Sequence, residues 1–132
     1  MRTEIYIKPR TKRPQNIPEA IVDYELRCIF DDGRQEARGG HVALKNASIK
    51  KASLVALIEA LKRFNRPQVI KVFIEEPFVR AMLIQGCPSK WKANNWMRIR
   101  KGCELHHKEE WQQLTDLMAS HAISISKENE DE

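Results

Sequence analysis

The sequence predicts one α/β domain built on a five-stranded mixed sheet with helices on both faces. Its 132 residues suit a single domain. Short alternating or β-branched runs predict strands, and apolar residues recur at helical spacing between them. The predicted order is β-β-β-α-β-α-α-β. We assign residues 1–126 to this domain and expect 127–132 to be a disordered acidic tail.

The N-terminal third predicts three strands. Residues 4–8 alternate apolar and polar side chains, and a proline-rich loop follows them. Residues 20–30 are rich in β-branched and aromatic side chains and run into Asp31-Asp32-Gly33. An Asp-Gly pair between extended segments is a strong hairpin signal, so residues 34–44 are predicted to return as the third strand. Gly39-Gly40 predicts a bulge within that strand.

The middle of the chain predicts a helix, a buried strand and a second helix. Residues 48–64 carry Leu54, Leu57, Ile58 and Leu61 at helical spacing, and Lys50 begins the same inward stripe. Residues 69–74 are almost continuously apolar, which is typical of a strand covered on both faces. Glu75 follows this strand, where ligands tend to bind in α/β sheets. A helix is predicted over 78–85.

The last third predicts a short helix over 88–95 and a longer one over 106–121. Residues 122–126 alternate and predict the closing strand. No internal repeat and no second core are evident.

Composition narrows the class of protein. The chain is 42% hydrophobic and 31% charged, which is close to the globular average and argues against global disorder. No apolar run approaches the ~20 residues of a membrane helix, and no signal-peptide core follows Met1. The cysteines Cys28, Cys87 and Cys103 are odd in number, which predicts free thiols in a reducing compartment. We therefore expect a cytoplasmic protein with no membrane partner.

The positive charge is concentrated in the body of the chain. The net charge of +5 includes one base and four acids in the last six residues. Residues 1–126 therefore hold 22 of the 23 bases and 14 of the 18 acids. A body this basic attracts acidic partners, of which nucleic acid is the commonest.

Four segments in this order resemble the ribonuclease H fold. Asn46 to Leu61 resembles the family helix N-x-R-M-E-L-x-A-x-x-x-A-L-E-A-L, and Ile74 to Val79 (I-E-E-P-F-V) resembles T-D-S-x-Y-V. Trp91 to Trp96 keeps the W-K-x-x-x-W spacing of the basic protrusion in bacterial members, and Glu110 to Leu114 resembles D-L-W-Q-x-L. The resemblance covers nearly the whole chain up to Ser126. It implies a ribonuclease H-like domain that lacks the family's final helix.

The catalytic set that the resemblance implies is degenerate. Active members cleave the RNA strand of an RNA–DNA hybrid with two Mg²⁺ ions held by an Asp-Glu-Asp-Asp set. Lys8 stands at the strand-one Asp, Lys50 at the helix Glu and Glu75 at the central-strand Asp, while the fourth Asp belongs to a helix after strand five. An ammonium group ~4 Å from a cation opposes it by about 4 kcal/mol or more at an effective dielectric of 20. We expect no catalytic residues, no metal and no cofactor.

Two expectations concern the surroundings of Glu75. The first is an ion cluster, because the family geometry places Lys8, Lys50 and Glu75 within a few ångströms of one another. The second is the only arrangement that would rescue metal chemistry. In it, other acids converge on Glu75, the candidates being Glu4, Asp23 and Glu76.

A basic segment with interleaved tryptophans is the candidate nucleic-acid surface. It contains no acid, and the predicted contact residues are Lys90, Trp91, Lys92, Trp96, Arg98, Arg100 and Lys101. In the family, this region resembles the handle that grips the hybrid. The alternative is that Trp91 and Trp96 pack the short helix onto the body while the bases are merely solvated.

Three functions follow from these observations. The first is non-catalytic binding of nucleic acid, an RNA–DNA hybrid or a duplex, through the basic segment. The alternative is a protein-interaction or scaffolding module with the same fold, for which the connection domains of reverse transcriptases offer a parallel. The third is an active metal-dependent nuclease with rearranged carboxylates.

Overall fold

The computed structural model describes residues 2–10, 17–97 and 105–126. Along this part of the chain the elements are β1 (Arg2–Pro9), β2 (Ile17–Ile29), β3 (Gln35–Ala47), α1 (Ile49–Leu61), β4 (Val69–Ile74), α2 (Pro77–Ile84), α3 (Cys87–Ala93), α4 (Lys108–Met118) and β5 (Ala122–Ile125). The short helix predicted over 88–95 forms as α3. Three helices, α2, α3 and α4, lie between β4 and β5. The predicted order β-β-β-α-β-α-α-β has two helices there, so it is one helix short.

The five strands form one mixed sheet in the order β3-β2-β1-β4-β5. The first three pair antiparallel, whereas β4 pairs parallel with both β1 and β5. The predicted five-stranded mixed sheet is confirmed. Because β1 lies at its centre, the end of β1 comes beside the end of β4, with Ile7 paired to Ile74.

The helices form one layer against the sheet. The stripe predicted for α1 is buried, with Leu54, Leu57, Ile58 and Leu61 all in the core. This helix packs on β1, β2 and β3, while α4 packs on α1, and α3 packs on α2 and α4. Each buried leucine or isoleucine contributes about 1.5–3 kcal/mol relative to exposure, so the layer supplies most of the driving force for folding.

The two faces of the sheet differ. Ile70, Val72 and Ile74 point into the core, and we call this side the helix face. Lys71 is exposed on the other side, which we call the open face, and Phe73 is half-buried there. The expectation that β4 is covered on both faces is therefore wrong. Within the described residues the helices cover one face of the sheet, because the charged head of Lys71 keeps the second face in water.

The glycine pair in β3 does not form a bulge. The pairing of β2 with β3 keeps one register from Ile29–Gln35 to Ile17–Ala47, so the expected bulge is wrong. A Cβ on Gly40 would lie 2.5 Å from the Tyr24 hydroxyl oxygen. The Tyr24 ring therefore crosses over Gly40 and fills the space that a side chain at this position would take.

The cysteines depart from the expectation of free thiols. Cys28 is free and half-buried. Cys87 is buried and disulfide-bonded, so the expectation is wrong for Cys87. Among the described helices none is long and apolar enough to cross a membrane. The acidic tail predicted for residues 127–132 lies outside the described part of the chain.

Candidate functional site

The ends of β1 and β4 and the start of α1 hold the three residues of the predicted degenerate site. Lys8 is the last residue but one of β1, and Lys50 is the second residue of α1. The Glu75 backbone N–H donates to the Ile7 carbonyl oxygen at 3.2 Å, which fixes Glu75 beside the end of β1.

The predicted ion cluster is wrong. The Lys8 Nζ lies 5.5 Å from the centroid of the Tyr6 ring, and the Lys50 Nζ lies 4.0 Å from the centroid of the Phe78 ring. Within the described residues, no ion pair of 4.0 Å or less joins Glu75 to either lysine. Aromatic faces attract an ammonium group without requiring it to leave water, so each lysine lies over its own ring.

The three acids that were candidates to rebuild a metal site are held by different partners. Glu4 Oε1 accepts the Tyr6 hydroxyl at 2.7 Å, and Glu76 Oε2 accepts the Val79 backbone N–H at 2.6 Å. The carboxylate of Asp23 accepts two hydrogen bonds from the Arg10 guanidinium at 2.9 Å.

The paired guanidinium also affects the titration of Asp23. The Arg10 hydrogen bonds hold the pKa of the Asp23 carboxyl below its usual value. The negative charge of Asp23 is therefore stabilised by Arg10.

The donor set does not fit a pair of Mg²⁺ ions. The three positions of the degenerate site supply one carboxylate, Glu75, and two ammonium groups. Two adjacent divalent ions need several carboxylates to offset their charge. Across the part of the chain that the structure describes, no three His, Cys, Asp or Glu side chains are grouped to hold a metal ion.

A cleft beside Lys50 was not predicted from the sequence. It has a volume of about 490 Å³ and lies between the start of α1, α2 and the start of α4. Among the described residues its lining contains no acid and consists of Ser48, Lys50, Leu54, Phe78, Val79, His106, His107 and Trp111. The residues are scattered along the sequence, so only the adjacent histidines gave a local signal. The charged and titratable groups among its described lining residues, Lys50, His106 and His107, are basic, which favours an anion over a cation there.

Burial affects the titration of a histidine in this cleft. Desolvation lowers the pKa of His107, and the charges of Lys51 and Lys50 lower it further, although Glu110 acts in the opposite direction. The Lys51 ammonium is itself paired with Glu110 at 3.5 Å.

The basic segment divides into exposed bases and packed rings. Lys90 and Lys92 are exposed in the last turn of α3. Trp91 is fully buried, with its ring centroid 5.0 Å from that of Trp111 and 6.2 Å from that of Trp96. The role predicted for the Trp91 ring in binding is therefore corrected to packing, as the alternative interpretation expected. Trp96 is half-buried. The remaining predicted contacts Arg98, Arg100 and Lys101 lie outside the described residues.

Comparison with known proteins identifies relatives of one kind. No family model matches the chain. It is 24% identical over 103 residues to the ribonuclease H of Trichodesmium erythraeum, a match that covers 78% of this chain and 63% of that protein. It is 27% identical over 104 residues to the ribonuclease H of Clostridium botulinum (strain Hall), a match that covers 79% of this chain and 67% of that protein. The first three curated relatives are spanned over only 53–63% of their length.

Solved structures share the same architecture. LC9-RNase H1, a type 1 RNase H with the type 2 active-site motif, superposes with a TM-score of 0.77 at 12% identity, covering 97% of this chain and 63% of that chain. The foamy viral protease-reverse transcriptase in complex with an RNA/DNA hybrid superposes with a TM-score of 0.67 at 14% identity. The superposition covers 94% of this chain and 17% of that chain. The fold of this chain is therefore ribonuclease H-like.

Proposed function

We propose that this chain is a non-catalytic ribonuclease H-like domain that binds nucleic acid, an RNA–DNA hybrid or a duplex, through its basic segment. The observation that carries the proposal is the charge of the degenerate site. The ammonium groups of Lys8 and Lys50 stand at two of the four positions where active members of the fold have metal-binding carboxylates. Cationic groups there favour a phosphate backbone and disfavour Mg²⁺.

The placement of the other acids supports the non-catalytic part. Glu4, Asp23 and Glu76 are the candidates to rebuild a metal site, and each is held by a hydrogen bond to another partner. If the Glu76 carboxylate turned toward Glu75, α2 would lose its N-terminal cap. If the Asp23 carboxylate did so, Arg10 would lose its ion-pair partner. The proposal accordingly includes no metal and no cofactor.

The surface around α3 supports the binding part. Lys90 and Lys92 are exposed, and no acid among the described residues forms an ion pair with either of them. The basic cleft beside Lys50 opens on the same helix layer. The foamy viral relative of this fold is known in complex with an RNA/DNA hybrid. We include Trp96, Arg98, Arg100 and Lys101 in the proposed surface, and a cytoplasmic location in the proposal as a whole.

A salt titration tests the binding. The affinity for an RNA–DNA hybrid and for a DNA duplex is measured at several salt concentrations, and the logarithm of affinity should fall linearly with that of salt, by about 0.9 per phosphate neutralised on duplex DNA. The double substitution K90A/K92A should make the slope shallower by roughly two. The matched control K45A/R66A removes two exposed bases elsewhere and should leave the slope unchanged.

A cleavage assay tests the absence of catalysis. The purified protein should not cleave an RNA–DNA hybrid with Mg²⁺ or Mn²⁺. Metal-dependent cleavage that disappears in Glu75→Gln would overturn the non-catalytic assignment and favour a nuclease with rearranged carboxylates.

The open face of the sheet favours a second candidate, a protein-interaction or scaffolding module. Val69 is 71% exposed there, and the half-buried Phe73 lies on the same face of β4, with Lys71 between them. Apolar side chains on a solvent-facing sheet are typical of surfaces that bind other proteins. Failure to bind either nucleic acid at low salt would favour this candidate over the first.

A further inference from the structure

We propose that two copies of this chain associate through the outer edge of β3, which pairs antiparallel with β3 of the second copy in one continuous sheet. In the part of the chain that the structure describes, β3 is an edge strand, since β2 is its one neighbour in the sheet. It is 13 residues long, and its register with β2 is unbroken. An unprotected edge of this kind presents unpaired backbone groups that can hydrogen-bond to another strand.

Within the described residues, three of the usual devices that protect an edge are missing from β3, although the strand does carry the charged residues Glu36, Arg38 and Lys45. Proline within the strand, a bulge and a covering helix each prevent further pairing. β3 contains no proline, and the glycine pair that predicted a bulge keeps the regular ladder. Ala37 and Gly39 are exposed and small, so the backbone of another strand can approach without displacing side chains.

Two charged residues on this edge, Glu36 and Arg38, can form ion pairs between two copies related by a two-fold axis. Glu36 and Arg38 are exposed and lie on the helix face, where both line a cavity of about 350 Å³ with Arg63 and Phe64. No hydrogen bond or ion pair joins either side chain to another within the described residues. They are two residues apart, so an antiparallel pair centred on Ala37 places Glu36 of each copy opposite Arg38 of the other.

The alternation of the sheet selects this register. A two-fold axis perpendicular to the sheet brings together residues of the same face, so facing residues must both be odd or both be even. Lys45 has an odd number and Glu36 an even one, so they lie on opposite faces of β3. A register in which they face each other is therefore excluded. Pairing Glu36 with Arg38 of the second copy satisfies the rule and forms two ion pairs by symmetry. The ladder then runs from Gln35 to Gly39 in each chain.

The first experiment is sedimentation equilibrium over a range of protein concentrations, without nucleic acid. We expect reversible dimers. The single reversals E36R and R38E should each raise the dissociation constant by about tenfold or more, because two cross-strand attractions become repulsions. The double reversal E36R/R38E should restore dimerisation. The matched control K45E, on the other face of β3, should leave the dissociation constant unchanged.

A crosslinking experiment gives an independent readout of the register. Ala37 lies on the proposed axis, so A37C in a C28S background should form an intermolecular disulfide on mild oxidation. A43C, on the same strand and face, should not. A wild-type protein that is monomeric at every concentration, or a double reversal that folds by circular dichroism and stays monomeric, would overturn the proposal. These results leave the nucleic-acid proposal unaffected, because α3 packs on α2 and α4 and the substitutions lie on β3.

Discussion

The ring of Tyr24 makes a contact that depends on one glycine. It packs over Gly40 of the neighbouring strand, and its hydroxyl oxygen accepts a hydrogen bond from Arg63 Nη2 at 3.1 Å. The Arg63 guanidinium also lies 5.5 Å from the ring centroid. This one side chain therefore connects β2 and β3 to the end of α1.

We expect Gly40→Ala to lower the free energy of unfolding by about 1–3 kcal/mol, which is typical of overpacking. The new methyl group would meet ring carbon Cζ of Tyr24 at 2.6 Å and force the ring to move. Urea denaturation measures the loss. Gly39→Ala is the control, because its Cβ meets only a backbone oxygen at 3.3 Å and should cost less. Equal losses in the two variants would contradict this account.

A histidine in the cleft should make stability depend on pH. Burial, more than any neighbouring charge, lowers the pKa of His107 below its ordinary value of 6.5. The unfolded chain then binds a proton more readily than the folded chain over the interval between the lowered value and 6.5. The stability from neutral His107 is fully present above 6.5 and should be lost as the pH falls through that interval.

Urea denaturation between pH 5 and 7.5 measures this dependence, with His107→Asn as the comparison. His107 has φ 60° and ψ 49°, a left-handed conformation that asparagine tolerates better than most residues. The variant should lose part of the decline below pH 6.5 without losing the fold. An unchanged pH profile in the variant would show that His107 is not responsible.

At the scale of the element, the start of α2 is capped by the second glutamate of its pair. Glu76 is buried and accepts the Val79 N–H, while Pro77 occupies the first helical turn. We expect Glu76→Ala to lower the free energy of unfolding by about 1 kcal/mol or more, as for other lost caps.

Glu75→Ala is the matched control for that substitution. No ion pair within the described residues holds the Glu75 carboxylate, so its removal should change stability by only about 0.5 kcal/mol. Both changes are measured by urea denaturation. A larger loss in the control would revive the ion cluster that the sequence predicted.

Local patterns predicted the elements better than the contacts between them. The leucine and isoleucine stripe of α1 predicted its buried face, because helical periodicity is a local property. The apolar run of β4 could not tell whether a second layer covers the strand, which depends on the rest of the chain. Lys71 was the residue that marked the open face. The direction of Lys50 could not be predicted either, since Phe78 reaches it from another helix.

At the scale of the whole molecule, the tryptophans attach α3 to the remainder of the helix layer. Trp91 and Trp111 are buried at 0% and 2% exposure, whereas Trp96 is half-buried. Acrylamide should therefore quench Trp96 in preference to the other two, and Trp96→Phe should remove most of the quenchable emission. Saturation with an RNA–DNA hybrid should protect only that fraction. Protection of emission in Trp96→Phe would mean that Trp91 or Trp111 contacts the ligand.

The central position of β1 has a consequence for the order in which the chain can assemble. Thr3 pairs with Ile70, across the whole length of β2, β3 and α1. A nascent chain that has reached only the end of α1 holds three antiparallel strands and one helix, but Ile5 and Ile7 still lack Val72 and Ile74 as neighbours. Closing so long a loop costs entropy before any of its contacts form, and it slows folding relative to a helical bundle of the same size. During synthesis, β1 leaves the ribosome before the other strands of this sheet but is among the last of them to gain its full set of neighbours.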